Sequence, residues 1–113
     1  MCSSDLFPSH DTSNGNSAQG VNALQNNTTG SNNSAQGYAA LQNNTTGSNN
    51  SAQGYAALYN NTTGYQNSAQ GVNAGRYLAD GVTGNQTSNN SVFLGYNTKS
   101  KQASQTNEIL TIS

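Results

Sequence analysis

The sequence has very little charge, and this scarcity excludes several classes of partner. Three basic and four acidic residues occur among 113, and the formal net charge is −1. Three scattered cations do not form the basic surface by which proteins hold nucleic acid or an anionic membrane. No apolar run approaches the length of a membrane span. We therefore expect no nucleic-acid partner and no insertion into a membrane.

Side chains that carry catalytic or metal chemistry are also scarce. The chain has one histidine, one cysteine and four carboxylates, and no acid–base pair lies in its repeated part. Serine and threonine are abundant, but no repeated histidine or lysine is there to activate them. Calcium-binding repeats need an aspartate in each glycine-rich turn, whereas the turns here carry asparagine and serine. We therefore predict no enzymatic activity, no cofactor and no metal site.

What the chain has instead is a tandem repeat of 17 residues. Glycine returns four times at this spacing, at Gly20, Gly37, Gly54 and Gly71. A fixed period of this kind indicates supersecondary units that bury apolar surface by stacking on their neighbours. Asn, Thr, Ser and Gly are weak helix formers, and no apolar stripe recurs at helical spacing. We predict an all-β parallel β-solenoid with coils of about 17 residues, each holding two short strands and two turns.

The repeat divides the chain into three parts. We predict an irregular N-terminal segment at 1–12, solenoid repeats at 13–84, and a terminal coil with a closing strand at 85–113. The codons inferred for residues 1–6 resemble the tail of a common sequencing adapter, so we interpret that stretch as an assembly artefact. The last copy is longer than the others, and we place three inserted residues around Arg76–Asp80 as a longer loop.

Comparing the copies column by column predicts which side chains form the core. Two columns are alanine in every copy, one is leucine in three copies, and one holds Val or Tyr directly after the repeated glycine. These columns are Ala18, Ala35, Ala52, Ala69; Ala23, Ala40, Ala57, Ala74; Leu24, Leu41, Leu58; and Val21, Tyr38, Tyr55, Val72. The repeated glycines Gly37 and Gly54 are expected to tolerate no Cβ, through a positive φ or a close approach between coils.

Three further columns are assigned with less support from the side chains themselves. Thr28, Thr45 and Thr62 are matched by Val82 in the last copy, which predicts that this column also points inward. The column Asn22, Ala39, Ala56, Asn73 accepts a polar residue and is predicted to face outward. The column Gln19, Gln36, Gln53, Gln70 has two interpretations: an inward amide ladder, because an unpaired buried amide is costly, or an outward face.

The copy from Gly47 to Thr63 resembles the repeats of phage tail-fibre and related surface proteins, whose usual form is Gly-Asn-Asn-Asn-Thr-Ala-Ile-Gly-Tyr-x-Ala-Leu-x-x-Asn-Thr-Thr. Its Asn-Ser-x-x-(Ile)-Gly kernel is similar to the head repeats of trimeric autotransporter adhesins. The stretch from Asn90 to Leu110 resembles the segment that often precedes a self-cleaving intramolecular chaperone domain. One departure is that glutamine replaces the usual isoleucine before the glycine in every copy, and only Leu94 restores an apolar residue.

The resemblance covers about residues 13–112 and implies a left-handed parallel β-roll in a homotrimer. It also implies a virion tail fibre or another extracellular surface structure that takes part in host or surface attachment. The residues favour association independently, because Tyr and Leu together give each coil more large apolar side chains than a narrow interior holds. Three identical rolls around a closed axis would each bury one face.

Two other interpretations of the repeat stay open at this stage, together with one candidate ligand contact. The chain could be an ice-binding solenoid that stacks threonine columns, although adjacent residues such as Thr45 and Thr46 would point to opposite faces of a strand. It could also be a disordered or amyloid-prone polar sequence. Arg76, Tyr77 and Asp80 combine charge with an aromatic ring in the inserted loop, and we consider them a candidate contact for a host-surface sugar or protein.

Overall fold

Six short strands form one parallel sheet in the computed structural model, which describes residues 14–77, 81, 83–100 and the backbone at 109–110. The strands follow one another in chain order across the sheet. They are β1 (Ser17–Gln19), β2 (Ser34–Gln36), β3 (Ser51–Gln53), β4 (Ser68–Gln70), β5 (Val92–Leu94) and β6 (Ile109–Leu110). This arrangement confirms the prediction of an all-β parallel β-solenoid. The interpretations of residues 1–12, including the adapter artefact, fall outside the described residues.

The register places identical residues on top of one another. Ser34 pairs with Ser51, Ala35 with Ala52, and Gln36 with Gln53, and the same offset of 17 residues relates β1 to β2 and β3 to β4. Neighbouring parallel strands are about 4.8 Å apart, so each column of the repeat becomes a ladder of equal side chains along the solenoid. The single-sequence period is therefore the coil period.

Each repeat coil has one strand, so the prediction of two strands per coil is wrong. The residues after β2 alternate between positive and negative φ, with φ of 122° at Gly37, 62° at Ala39 and 53° at Leu41. The Ala40 N–H donates to Gly37 O (3.3 Å), and the Gln42 N–H donates to Ala39 O (3.2 Å). These overlapping turns bend the chain continuously and leave no extended segment for a second strand. Left-handed conformations at non-glycine residues cost about 1–2 kcal/mol each, so the stack must offset that strain.

The core consists of the alanine and leucine columns, as predicted. Ala35 and Ala52 are 1% exposed, and Leu41 and Leu58 are fully buried. The cluster continues through every described coil and ends at Phe93 of β5. Val92 and Leu94 lie on the opposite, exposed side of that strand. The small side chains set the thickness of the interior, because a larger residue at an alanine position would push adjacent walls apart.

Three of the predicted facings are wrong. Tyr38 and Tyr55 are about half exposed rather than buried, because the positive φ at the preceding glycine turns the next side chain outward. The Ala39 and Ala56 side chains are buried rather than exposed, which the turn run explains in the same way.

The threonine column is the third wrong facing, because it lies at the surface. Thr45 and Thr62 are half-buried, and the Thr45 hydroxyl donates to Thr62 O (3.2 Å). The same carbonyl accepts the N–H groups of Thr45, Thr46 and Gly47 at 3.0–3.1 Å. The repeated threonine therefore holds a turn to the next coil instead of filling the core.

The insertion in the last copy is seven residues long, not three. Ser68 of β4 pairs with Val92 of β5, an offset of 24 residues where the other coils have 17. The Thr62 N–H donates to Gln86 O, in the position that Thr62 O occupies for the preceding coil. The true counterpart of the threonine column is thus Gln86, whereas Val82 lies outside the described residues. An antiparallel bridge between Tyr77 and Gly84 closes the base of the inserted loop.

Gly75 and Phe93 exchange volume at the point where the repeat becomes irregular. Gly75 occupies the leucine column, and Phe93 occupies the alanine column of the next coil. A Cβ on Gly75 would lie 2.8 Å from Phe93 Cδ2 and 2.9 Å from Leu58 Cδ2. The ring of Phe93 therefore fills the space that a leucine at position 75 would take.

This exchange predicts strong coupling in a double-mutant cycle. Phe93→Ala should cost about 3–5 kcal/mol by leaving a cavity, and Gly75→Leu should cost about 1–3 kcal/mol by overpacking. The double variant restores the leucine and alanine pattern of the regular coils, and Gly75 has a φ of 68°, near the 52° of Leu58. We expect its loss to be smaller than the sum by at least about 2 kcal/mol, measured by denaturant unfolding. Additive losses would show that the two sites do not share one space.

Candidate functional site

A ladder of buried asparagines runs through the solenoid beside the apolar core. Its members are 1–3% exposed and occupy the position just before the strand in each coil: Asn16, Asn33, Asn50 and Asn67. The Asn50 Nδ2 group donates to Gly64 O (2.9 Å) and to Asn33 Oδ1 (3.1 Å), and Asn50 Oδ1 accepts the Asn67 N–H (3.0 Å). Each amide thus joins two coils and satisfies backbone groups that are shielded from water.

A second buried ladder lies at the threonine turn. The Asn44 Nδ2 group donates to Asn27 Oδ1 (2.8 Å) and to Gly47 O (3.0 Å), and Asn61 repeats this pattern one coil later. The seven-residue insertion interrupts the ladder at the next step, because Asn85 donates to Gly75 O instead. Asn61 Oδ1 is left buried without a hydrogen bond. These amides are structural, since they are fully buried and point at backbone rather than at solvent.

The outward side of the sheet carries what we call the outer stripe, and this answers the question that the sequence left open for the glutamines. The outer stripe comprises two neighbouring columns, Gln19, Gln36, Gln53, Gln70, Leu94 and Val21, Tyr38, Tyr55, Val72, Tyr96. The glutamines are exposed and form a ladder, with Gln53 Nε2 donating to Gln36 Oε1 (2.6 Å). Every residue in both columns is uncharged.

The aromatic column of the outer stripe is ordered by stacking along the solenoid. The Tyr38 and Tyr55 rings lie 5.3 Å apart between centroids and 9° from parallel. Because their facing surfaces are occupied by each other, these rings present edges and hydroxyl groups outward. At the C-terminal end Val72, Leu94 and Tyr96 are 42%, 44% and 66% exposed. The stripe thus offers apolar edges beside an amide ladder at each coil.

The candidate ligand contact lies at the base of the inserted loop. The Arg76 guanidinium carbon is 4.4 Å from the centroid of the Tyr59 ring and 5.0 Å from that of Tyr77. Its Nη1 group donates to Asn73 Oδ1 (3.0 Å). The structure therefore brings Arg76 and Tyr77 together as proposed and adds Tyr59 from the preceding coil. Asp80 lies outside the described residues.

Other chemistry finds no support among the described residues. They contain no group of three or more metal-ligating side chains, and the described surface has no pocket. None of the described segments is a helix with the length and apolarity needed to cross a lipid bilayer. Whatever this part of the chain recognises must therefore be bound on its surface.

Comparison with protein-family models, with curated proteins and with solved structures gives no match to this chain.

Sequence reasoning missed the buried asparagine ladders and the outward tyrosines. The signal for the ladders was present, because asparagine occupies position 16 and its equivalents 33, 50 and 67 without exception. We had interpreted these asparagines as turn residues, since asparagine is common in turns. For the tyrosines no signal was available, because their facing depends on the φ of the preceding glycine.

Proposed function

We propose that this chain is a non-enzymatic structural segment of a homotrimeric surface fibre, in which three solenoids lie side by side. The fibre would be a phage tail fibre that takes part in host or surface attachment, with a bacterial adhesin head as the alternative of the same class. Its location would accordingly be the virion or the extracellular cell surface. The observation that carries the proposal is the outer stripe, an uncharged face that repeats at every coil.

The chemistry of the outer stripe suits a second copy of itself. Each glutamine amide has two N–H donors and a carbonyl with two acceptor positions, and the ladder along the solenoid uses one of each. The remaining donor and acceptor are free to pair with the same ladder on a neighbouring chain. The absence of charge in these columns means that identical faces meet without electrostatic repulsion. The exposed Tyr38 and Tyr55 edges would add apolar contact.

Symmetry explains why such a contact would grow with the number of coils. If the axis of a closed trimer is parallel to the solenoid, each coil meets the same coil of its partners at the same height. A repeat with 17-residue steps therefore repeats its contact at every step. The leucines fill the interior and the tyrosines lie outside, which agrees with the argument that some large apolar side chains pack between chains. The sequence resemblance to tail fibres and trimeric adhesins points to the same number of chains.

Sedimentation equilibrium at micromolar concentration tests the trimer. We expect a mass three times the 11.7 kDa of one chain. The double variant Gln36→Glu and Gln53→Glu brings like charges together around the axis and should dissociate the assembly, because like charges in an interface cost several kcal/mol. The double variant Thr46→Glu and Thr63→Glu, on exposed turn residues, adds the same charge and should leave the mass unchanged. A folded, β-rich monomer of the unmodified chain would refute the trimer.

A folded monomer would shift the assignment to an ice-binding solenoid, a second candidate that one observation favours. Thr45 and Thr46 do not point to opposite faces: Thr46 is exposed and Thr45 is half-buried at the surface. The same turn in each coil therefore presents two threonine columns to solvent. Thermal hysteresis of the monomer would identify that activity.

A further inference from the structure

We propose that Arg76, held by Tyr59 and Tyr77, binds the carboxylate of an acidic saccharide, and this assignment rests on the proposed role in surface attachment. In the preceding coils the position of Arg76 is held by Gln25, Gln42 and Tyr59. The cation thus appears once, where the inserted loop breaks the repeat. A single departure from an otherwise uniform spacer marks a place where the chain does something other than stack.

The geometry orients the guanidinium for a planar acid. Arg76 is half-buried, and its guanidinium group lies against two tyrosine rings, which act through cation–π attraction and limit its rotation. A guanidinium has five N–H donors, and Asn73 Oδ1 takes one of them. Arg76 Nε is buried without a hydrogen-bond acceptor. Free donors on the Nη atoms of a fixed guanidinium match the two oxygens of a carboxylate.

Charge near the loop favours an anion. Lys99 lies in the next coil, where the Gly75 N–H donates to Thr98 O (2.8 Å), and a Cβ on Gly81 would be 3.5 Å from Lys99 Cε. Arg76 and Lys99 are the only charged residues among those that the structure describes, because all four carboxylates of the chain lie outside that part. No described side chain can therefore neutralise Arg76.

The surroundings favour a saccharide over an apolar partner. The nearby side chains are amides and phenols, with Asn60 Nδ2 donating to Arg76 O (3.0 Å) and Asn73 bonded to the guanidinium. Amide and hydroxyl groups pair with the hydroxyls of a sugar, and the tyrosine rings offer surface for its C–H groups. An apolar ligand would need a concave pocket, and the described surface has none.

Titration calorimetry of the 113-residue chain with 3′-sialyllactose and with trigalacturonate, against lactose and maltotriose, tests the proposal. We expect at least one acidic sugar to bind and both neutral sugars to fail. Arg76→Gln should weaken binding at least tenfold with an unchanged melting temperature, because glutamine is the residue of the equivalent coils. Arg76→Lys should fall between the two, since lysine keeps the charge and loses the planar fork. Gln42→Ala, two coils away in the same column, should bind as the unmodified chain does.

The proposal is overturned if no acidic sugar binds, if the neutral sugars bind equally, or if Arg76→Gln binds as tightly as the unmodified chain. Equal binding of tetraglutamate would overturn the assignment to saccharides. Sedimentation of the same samples separates this proposal from the trimer. A monomer that binds the acidic sugar would refute the trimer alone, and a trimer that binds none would refute the saccharide site alone.

Discussion

Replacing Gly37 and Gly54 together by alanine will lower the free energy of unfolding by at least about 4 kcal/mol. Both residues have a φ near 125°, at 122° and 127°, where an L side chain is strained by about 1–3 kcal/mol. A Cβ on Gly37 would also lie 2.7 Å from Gly54 O, and one on Gly54 would lie 2.6 Å from Gly71 O. Neither backbone can retreat without breaking the coil-to-coil hydrogen bonds. The structure thus meets both conditions that we expected of these glycines.

Denaturant unfolding followed by far-UV circular dichroism measures this loss. The matched control is Ser34→Ala together with Ser51→Ala, because those side chains are exposed in the strands of the same coils. We expect the control pair to change stability by less than about 0.5 kcal/mol. A double glycine variant as stable as its control would show that the coils do not approach each other at this position.

Asn50→Ala is the single substitution from which we expect the largest loss, about 3–5 kcal/mol. It removes the donor to Gly64 O and the acceptor of the Asn67 N–H, and both backbone groups are then buried without a partner. Each such orphaned group costs about 1–3 kcal/mol. The loss should appear at every pH at which the chain folds, because no ionisable group takes part.

The control for this prediction is Gln53→Ala in the same coil. It removes an amide from the exposed ladder, where water replaces the lost hydrogen bonds, and should cost less than about 1 kcal/mol in the isolated chain. A comparable loss for both variants would mean that the Asn50 column is not shielded from water.

The sequence was sufficient to predict the coil and much of its core, because a strict period converts one alignment into a stacking register. Alanine that never varies over four copies indicates crowding, and Ala35 and Ala52 are indeed buried. Leucine in a polar repeat has one favourable location, and Leu41 and Leu58 occupy it. The need for Cβ-free glycines followed from the same invariance.

The facings that sequence reasoning missed depend on backbone conformation rather than on side-chain chemistry. We assumed strand alternation through Tyr38 and Ala39, but alternating positive φ replaces the two-residue period with a run of turns. The threonine column looked apolar because it was aligned with Val82, and that alignment was wrong since the insertion is seven residues long. Tyr59 at the Arg76 site could not have been identified from the sequence, because its contact requires the height of one coil over the next.

Distances between spin labels test most directly the claim that three chains meet along the outer stripe. Gln53→Cys in a Cys2→Ser background places one nitroxide per chain on the stripe, and Thr46→Cys places it on the turn about half a coil away along the chain. We predict intermolecular dipolar coupling for both labels, with the shorter distances at position 53, because three equivalent sites there surround the axis. Coupling that is absent at position 53, or shorter at position 46, would contradict a trimer built on this face.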